Sequence, residues 1–248
     1  MTDSKLCFVL IRGLLREARH WGNFPEILQK QYPNALILTP DIPGNGSLSQ
    51  LTSPNTISGM TDTLRDQIPD HYPVRLVALS MGAMIAIDWM IRYPVEVASA
   101  ILINTSLGNI SPFYQRLRWQ NYHKIIQLLF TARQQREQLI LALTSNVQSH
   151  RSELLTDWQQ WQQENPVSSV SAKNQLLASA TFSINSIPVQ PILIVSSSAD
   201  QLVDYRCSLM LQQSWGKDYR QHDAAGHDLP LDDPHWLVAV ISQWFNQH

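Results

Sequence analysis

Leu76-Val77-Ala78-Leu79-Ser80-Met81-Gly82-Ala83-Met84 decides the fold of this chain. A short apolar run of strand type enters a small-x-Ser-x-Gly turn, and an apolar helix follows at once from Met81 to Arg92. Such a strand-turn-helix lifts a serine hydroxyl to the top of a sheet. The serine is held in strained backbone geometry, so the residues two before and two after it must be small. Here they are Ala78 and Gly82.

Outward from this turn, short apolar runs alternate with longer amphipathic segments. Strands are expected at 6–11, 35–38, 75–79, 98–103, 191–196 and 218–222, and helices at 21–31, 56–67, 81–93, 205–215 and 234–246. Alternating strands and helices imply right-handed β-α-β units and a mainly parallel sheet of the α/β class. The strand runs are continuously apolar, as expected where helices cover both faces. Residues 108–188 break the rhythm. They hold no good strand, and helices are expected at 113–131, 132–143, 152–164 and 172–180. This divides the chain into a core of 1–107 and 189–248 and a helical insertion, 108–188. The Gln-rich piece 159–163 suits a solvated helix face.

Composition narrows the class of function. With 44% hydrophobic and 15% charged residues the chain can bury a core, which excludes general disorder. A formal net charge of −2 argues against nucleic acid as a general partner. The apolar run at 6–11 ends at Arg12-Gly13 and is too short for a membrane span, and no signal peptide is expected. Cys7 and Cys207 are far apart and fit core thiols in a reducing, cytoplasmic setting. His20, His71, His123, His150, His235 and His248 show no metal spacing with carboxylates or cysteines, so neither a metal nor another cofactor is expected.

A serine nucleophile needs a base, and the base an orienting acid. Asp200 stands in Ser198-Ala199-Asp200-Gln201-Leu202-Val203, just past a buried strand, on the rim where parallel sheets place active sites. His227 stands in Ala225-Gly226-His227-Asp228, after the last strand and before the final helix. There are rivals. Asp200 also suits a helix N-cap, Asp204 is a competing acid, and His222 is a competing base.

The order Ser80, Asp200, His227 resembles that of the α/β-hydrolase superfamily, and the resemblance covers nearly the whole chain. Asp41-Ile42-Pro43-Gly44-Asn45-Gly46-Ser47 resembles the superfamily's D-x-P-G-x-G-x-S loop, Ala199-Asp200-Gln201-Leu202-Val203 its acid loop, and Gly226-His227 with Asp233-Pro234 its histidine loop. The helical insertion falls where the family carries its cap. The chain starts at what resembles the family's third strand, which predicts a sheet of about six strands. Arg12-Gly13-Leu14 replaces the usual His-Gly, and Ala78 the first glycine of the turn.

The resemblance implies a serine hydrolase of small or medium carboxylic esters, with Ser80, His227 and Asp200 as the triad and the Leu14 and Met81 amides as the oxyanion hole. Thioester hydrolysis, or C–C hydrolysis or lysis, uses the same triad. A non-catalytic binding protein has no need of all three residues. Dehalogenase and epoxide hydrolase activities are disfavoured, since the nucleophile there is an aspartate. Arg12 either draws an anionic substrate or forms an internal ion pair with Asp41 or Glu17. Phe113, Tyr114, Trp119, Tyr122 and Phe130 either line an acyl pocket or form the insertion's own core. The implied partner is a small-molecule ester or thioester. The sequence carries no sign of oligomeric state.

Overall fold

A computed structural model describes residues 6–68, 73–124, 127, 131, 133–147 and 149–247. Phe130, His71, His248 and the first five residues lie outside this set. Six strands, β1 (Cys7–Ile11), β2 (Leu36–Leu38), β3 (Val74–Leu79), β4 (Val97–Ile103), β5 (Ile192–Ser197) and β6 (Asp218–His222), form one sheet in the order β2-β1-β3-β4-β5-β6. Every pairing is parallel. The α/β expectation is met, with strand ends within one or two residues of those read from sequence.

Pleating sorts the strand residues between two cores. Cys7, Val9, Ile11, Leu76 and Ala78 pack on one face with helices α2 (Ile57–Arg65), α3 (Met81–Arg92) and α7 (Tyr205–Trp215). Phe8, Leu10, Val77 and Leu79 pack on the other with α1 (Phe24–Gln31) and α8 (Pro234–Phe245). Central strands buried on both faces explain the continuous apolar runs. The edge strand β6, Asp-Tyr-Arg-Gln-His, is only partly buried. Cys7 and Cys207 are buried free thiols.

Between β4 and β5 the described elements are helical: α4 (Arg133–Thr144), α5 (Arg151–Glu164) and α6 (Ser169–Thr181), with short turns at Phe113–Arg116 and Trp119–Asn121. The long helix expected over 113–131 is therefore interrupted. Its backbone bonds elsewhere: the Arg118 amide donates to Leu202 O at 2.9 Å and Gln115 O accepts from Asp204 N at 3.0 Å. Among the described residues no helix is long and apolar enough to cross a membrane.

Candidate active site

β1 neighbours both β2 and β3, so the direction of winding reverses there, and a crevice opens at the strands' carboxyl ends. The loop after β1 and the turn after β3 meet at this crevice. A Cβ on Gly13 would lie 3.1 Å from Ser80 Cβ, so glycine permits the close approach. At Gly82 a Cβ would lie 2.3 Å from Ile11 O, a backbone atom that cannot yield. Ser80 itself has φ 59° and ψ −118°, a region an L-residue enters at a cost of about 1–3 kcal/mol. β4 holds it there: Ser80 N donates to Ile103 O at 2.8 Å, and Thr105 Oγ1 donates to Ser80 O at 2.9 Å. Ser80 is only partly buried, within a stretch that is otherwise closed to solvent.

The candidate acid and base come together from the ends of β5 and β6. Asp200 is buried. Its Oδ1 accepts from the Leu202 and Val203 amides at 2.7 and 3.0 Å, and its Oδ2 accepts from His227 Nδ1 at 2.7 Å. The carboxylate thus shapes its own turn while orienting the imidazole. An ionised carboxylate can only accept, so the proton of neutral His227 sits on Nδ1 and Nε2 is left bare. Asn104 and Thr105, consecutive residues after β4, tie the two halves together. Asn104 Nδ2 donates to His227 O at 2.8 Å, next to the Thr105 bond to Ser80 O.

The rivals have other employment. Asp204 caps α7 through Arg206 N at 3.0 Å and pairs with the Arg206 guanidinium at 2.6 Å, which holds its carboxyl below the usual range. His222 Nδ1 accepts from Ala225 N at 2.9 Å, and Nε2 faces Asp233 Oδ2 at 3.2 Å.

The Leu14 and Met81 amides have no hydrogen-bond acceptor among the described residues, and Met81 opens α3. Unpaired amides at a helix N-terminus suit an anion. The loop carrying Leu14 is braced on two sides: Asn45 Nδ2 donates to Arg16 O at 2.9 Å, and Gln175 Oε1, from α6, accepts from Leu15 N at 2.9 Å.

Arg12 forms an internal ion pair, but with neither Asp41 nor Glu17. Its guanidinium grips Asp228 in a fork, at 3.0 and 2.6 Å, and lies 4.9 Å from the Trp21 ring centroid. Asp41 instead accepts from the Ala18 and Ser47 amides, and Glu17 pairs with Arg19. Both Arg12 and Asp228 are buried. Arg12→Met should therefore leave an uncompensated carboxylate and cost about 3–5 kcal/mol. Thermal unfolding should show a fall of about 6–20 °C; an unchanged transition would mean that the pair contributes nothing.

Phe113 and Trp119 are not drawn into an enclosed pocket. They are 74% and 62% exposed, and Tyr122 is half-buried. The physical reason lies in the short turns that carry them, which are pinned to the acid loop by Arg118 Nη1 donating to Asp200 O at 2.6 Å and by Asn121 donating to Gln201 O.

His20 is buried between the site loop and α5. Arg16 Nη1 lies 3.0 Å from its Nε2, and its Nδ1 faces the Glu17 backbone, 3.2 Å from N and 3.3 Å from O. Burial, and then the Arg16 and Arg12 charges, hold His20 well below the usual imidazole range. The folded state therefore binds fewer protons here than the unfolded chain. Stability contributed by neutral His20 is full above the unfolded pKa of about 6.5 and is lost as pH falls below it, by up to about 1.4 kcal/mol per pH unit. Chemical denaturation between pH 5 and 7.5 should give a flatter profile for His20→Gln than for the wild type; parallel profiles would contradict this.

Asp228 and Asn104 escaped the sequence reading. Asn104, at φ 48°, has a conformational signature that an Asn directly after an apolar strand could have suggested. Asp228 had only its place beside His227 to mark it.

Comparison with known proteins agrees with this arrangement of elements. A family model described as the alpha/beta hydrolase family matches residues 8–240, and the chain belongs to that family. No curated protein matches it. Among solved structures, the chain is similar to a hydrolase, olei00960, from Oleispira antarctica, at TM-score 0.77 and 17% identity, covering 99% of this chain and 93% of that one. It is similar to the putative non-heme bromoperoxidase BpoC from Mycobacterium tuberculosis H37Rv at TM-score 0.75 and 19% identity, covering 98% and 93%. It is also similar to a malate-bound thermophilic esterase from Thermogutta terrifontis at TM-score 0.74 and 17% identity, covering 99% and 91%. Among the described residues no group of three or more His, Cys, Asp or Glu could hold a metal ion.

Proposed function

We propose that the protein is a serine hydrolase that cleaves small or medium carboxylic esters through an acyl-enzyme. The observation that carries the proposal is the buried 2.7 Å contact between His227 Nδ1 and Asp200 Oδ2, hung with the strained Ser80 turn from consecutive residues of β4 and its exit.

Ser80 Oγ attacks the ester carbonyl while His227 Nε2 takes its proton. Asp200 keeps the imidazole in the correct tautomer and stabilises the imidazolium. The Leu14 and Met81 amides hold the tetrahedral oxyanion, and one such donor is worth about 10²–10³ in rate. The intermediate collapses, His227 returns the proton to the departing alcohol, and an acyl-Ser80 remains. Water, deprotonated by the same imidazole, releases the acid and frees the serine. No step requires a cofactor. Residues 108–188 act as the cap over the core of 1–107 and 189–248. Thioester or C–C cleavage would use the same groups.

Turnover of p-nitrophenyl esters from acetyl to decanoyl, alongside matched acyl thioesters, tests the proposal. Ester hydrolysis with a chain-length optimum supports it. Turnover of thioesters alone would reassign the bond, and no turnover of either series would contradict the proposal.

A further inference from the structure

Helix α6 meets the core on an unusual face. Its buried residues, Ser171, Gln175 and Ala178, fall at i, i+4 and i+7, one stripe of a helix, but the stripe is small and polar rather than apolar. It lies tight against the segment after β2. A Cβ on Gly44 would stand 2.7 Å from Ser171 Oγ, and Ser53 N donates to Ser171 Oγ at 3.1 Å. Gln175 stands in the middle of the stripe and is fully buried. A long polar side chain is buried whole only when hydrogen bonds replace its water.

Those bonds run in one direction. Asn45 Nδ2 donates to Arg16 O at 2.9 Å, which points Asn45 Oδ1 at Gln175, whose Nε2 donates to it at 2.7 Å. Gln175 Nε2 also donates to Ser53 Oγ at 2.9 Å. With both of these acceptors on its nitrogen side, the amide turns Oε1 the other way, where it accepts from Leu15 N at 2.9 Å. Two side-chain amides thus form a relay that begins on the Arg16 carbonyl and ends on the N–H of the residue before it.

Leu15 is where such a hold is needed. Its φ is 59°, in the left-handed region, where a Cβ costs about 1–2 kcal/mol. It is the third residue of the turn Gly13-Leu14-Leu15-Arg16, closed by Arg16 N donating to Gly13 O at 3.3 Å, and a positive φ at that position normally calls for glycine. Strain of this kind persists only where the surroundings over-determine it. The second residue of the same turn is Leu14, whose amide is an oxyanion donor in the reading above. We propose that Gln175 is a positioning residue for the oxyanion hole: helix α6 of the insertion, through the Gln175 side chain, holds the turn that presents the Leu14 N–H to the reacting carbonyl. The inference rests on the serine-hydrolase reading, since it concerns a donor of that site. Without the Gln175 acceptor the turn relaxes out of the left-handed region, and the donor shifts with it. A shift of about 1 Å in a catalytic arrangement costs up to about a hundredfold in rate.

Gln175→Met keeps the length of the side chain and removes the acceptor. With p-nitrophenyl butyrate it should lower kcat and kcat/KM together by about tenfold to a hundredfold, with KM little changed, the pattern of an interaction made only in the transition state. Rates are taken per site titrated with a fluorophosphonate, so unfolded molecules do not count. Trifluoromethyl propyl ketone, which Ser80 converts to a hemiketal oxyanion, should inhibit the variant more weakly by the same factor. Asn174→Ala is the control. It removes a neighbouring bond between α6 and the core, from Asn174 Nδ2 to Ser53 O at 2.8 Å, which does not reach the turn. It should lower the unfolding temperature and leave kcat and inhibition by the ketone unchanged. If Gln175→Met does not fold, Gln175→Asn carries the same test, since it keeps the amide but falls one bond short of Leu15.

An unchanged kcat in a folded Gln175 variant, a rise in KM alone, or an equal loss of kcat in Asn174→Ala would each overturn the inference, while ester turnover by the wild type still upholds the hydrolase reading. Absence of turnover by the wild type would overturn both.

Discussion

Ser80→Ala is expected to remove ester turnover, lowering kcat by about 10⁵-fold or more, while the protein unfolds at nearly the same temperature as the wild type. The size of the loss follows from nucleophilic catalysis. Groups that act as one unit lose almost everything when the nucleophile goes, and the residual rate comes from the oxyanion donors and binding. The unchanged stability follows from local structure. Ser80 Oγ makes no hydrogen bond with another described residue, whereas the contacts that hold the turn, to Ile103 O and Thr105 Oγ1, are made by the Ser80 backbone. Alanine keeps the Cβ and tolerates the same backbone. Turnover of p-nitrophenyl butyrate and a thermal scan check both parts. Retained activity would remove Ser80 from the mechanism; lost activity with a collapsed transition would show that the residue is structural.

The second large effect is at the acid. Asp200→Asn should lower kcat by about 10⁴-fold, and the reason is one proton. Asp200 Oδ2 accepts from His227 Nδ1, which leaves Nε2 free to take the serine proton. In the variant, the single carbonyl oxygen of the new amide would accept from the Leu202 and Val203 amides, as Oδ1 does now, and the NH₂ would turn toward the imidazole. Nδ1 must then accept, the proton moves to Nε2, and the base is lost. Asp204→Asn is the control. Its carboxylate caps α7 and pairs with an exposed arginine, so the cost is about 1 kcal/mol of stability and little activity. Kinetics of the two variants on one ester decide the matter, and a larger loss at Asp204 would make that residue the acid.

What the sequence revealed and what it hid divide along the range of the interactions. The Ser80 turn was legible because its demands are local: a strand, small neighbours and a helix in immediate succession. Gly82 must be glycine because Ile11 O stands 2.3 Å from where its Cβ would be, and this need shows in sequence as a motif. Ala78 shows that the other small position has latitude: fully buried, it packs in the core beneath the turn. The placement of Asp200 and His227 on the rim was legible for a related reason, since each follows the end of a strand.

Long-range pairing left no such trace. Arg12 and Asp228 are 216 residues apart, and nothing in the neighbourhood of Arg12 distinguished Asp228 from Asp41 or Glu17. The helix expected over 113–131 is broken at Leu117 and Arg118 for the same reason. Its periodicity is helical, but contacts to the acid loop at Asp200, Gln201 and Leu202 compete for its side chains and backbone. Phe113 and Trp119 on that segment, read as part of a pocket or a small core, are largely left at the surface. The bond from Leu15 to Gln175 joins a loop after β1 to a helix far along the chain, and only the folded chain brings them together.

The central claim is that Ser80 is an activated nucleophile. It is tested most directly by incubating the protein with a fluorophosphonate and locating the adduct by peptide mass spectrometry. The account predicts one phosphonyl group on Ser80, formed rapidly in the wild type, slowed by orders of magnitude in Asp200→Asn, and absent in Ser80→Ala. Labelling that persists in Ser80→Ala, or none in the wild type, would contradict it.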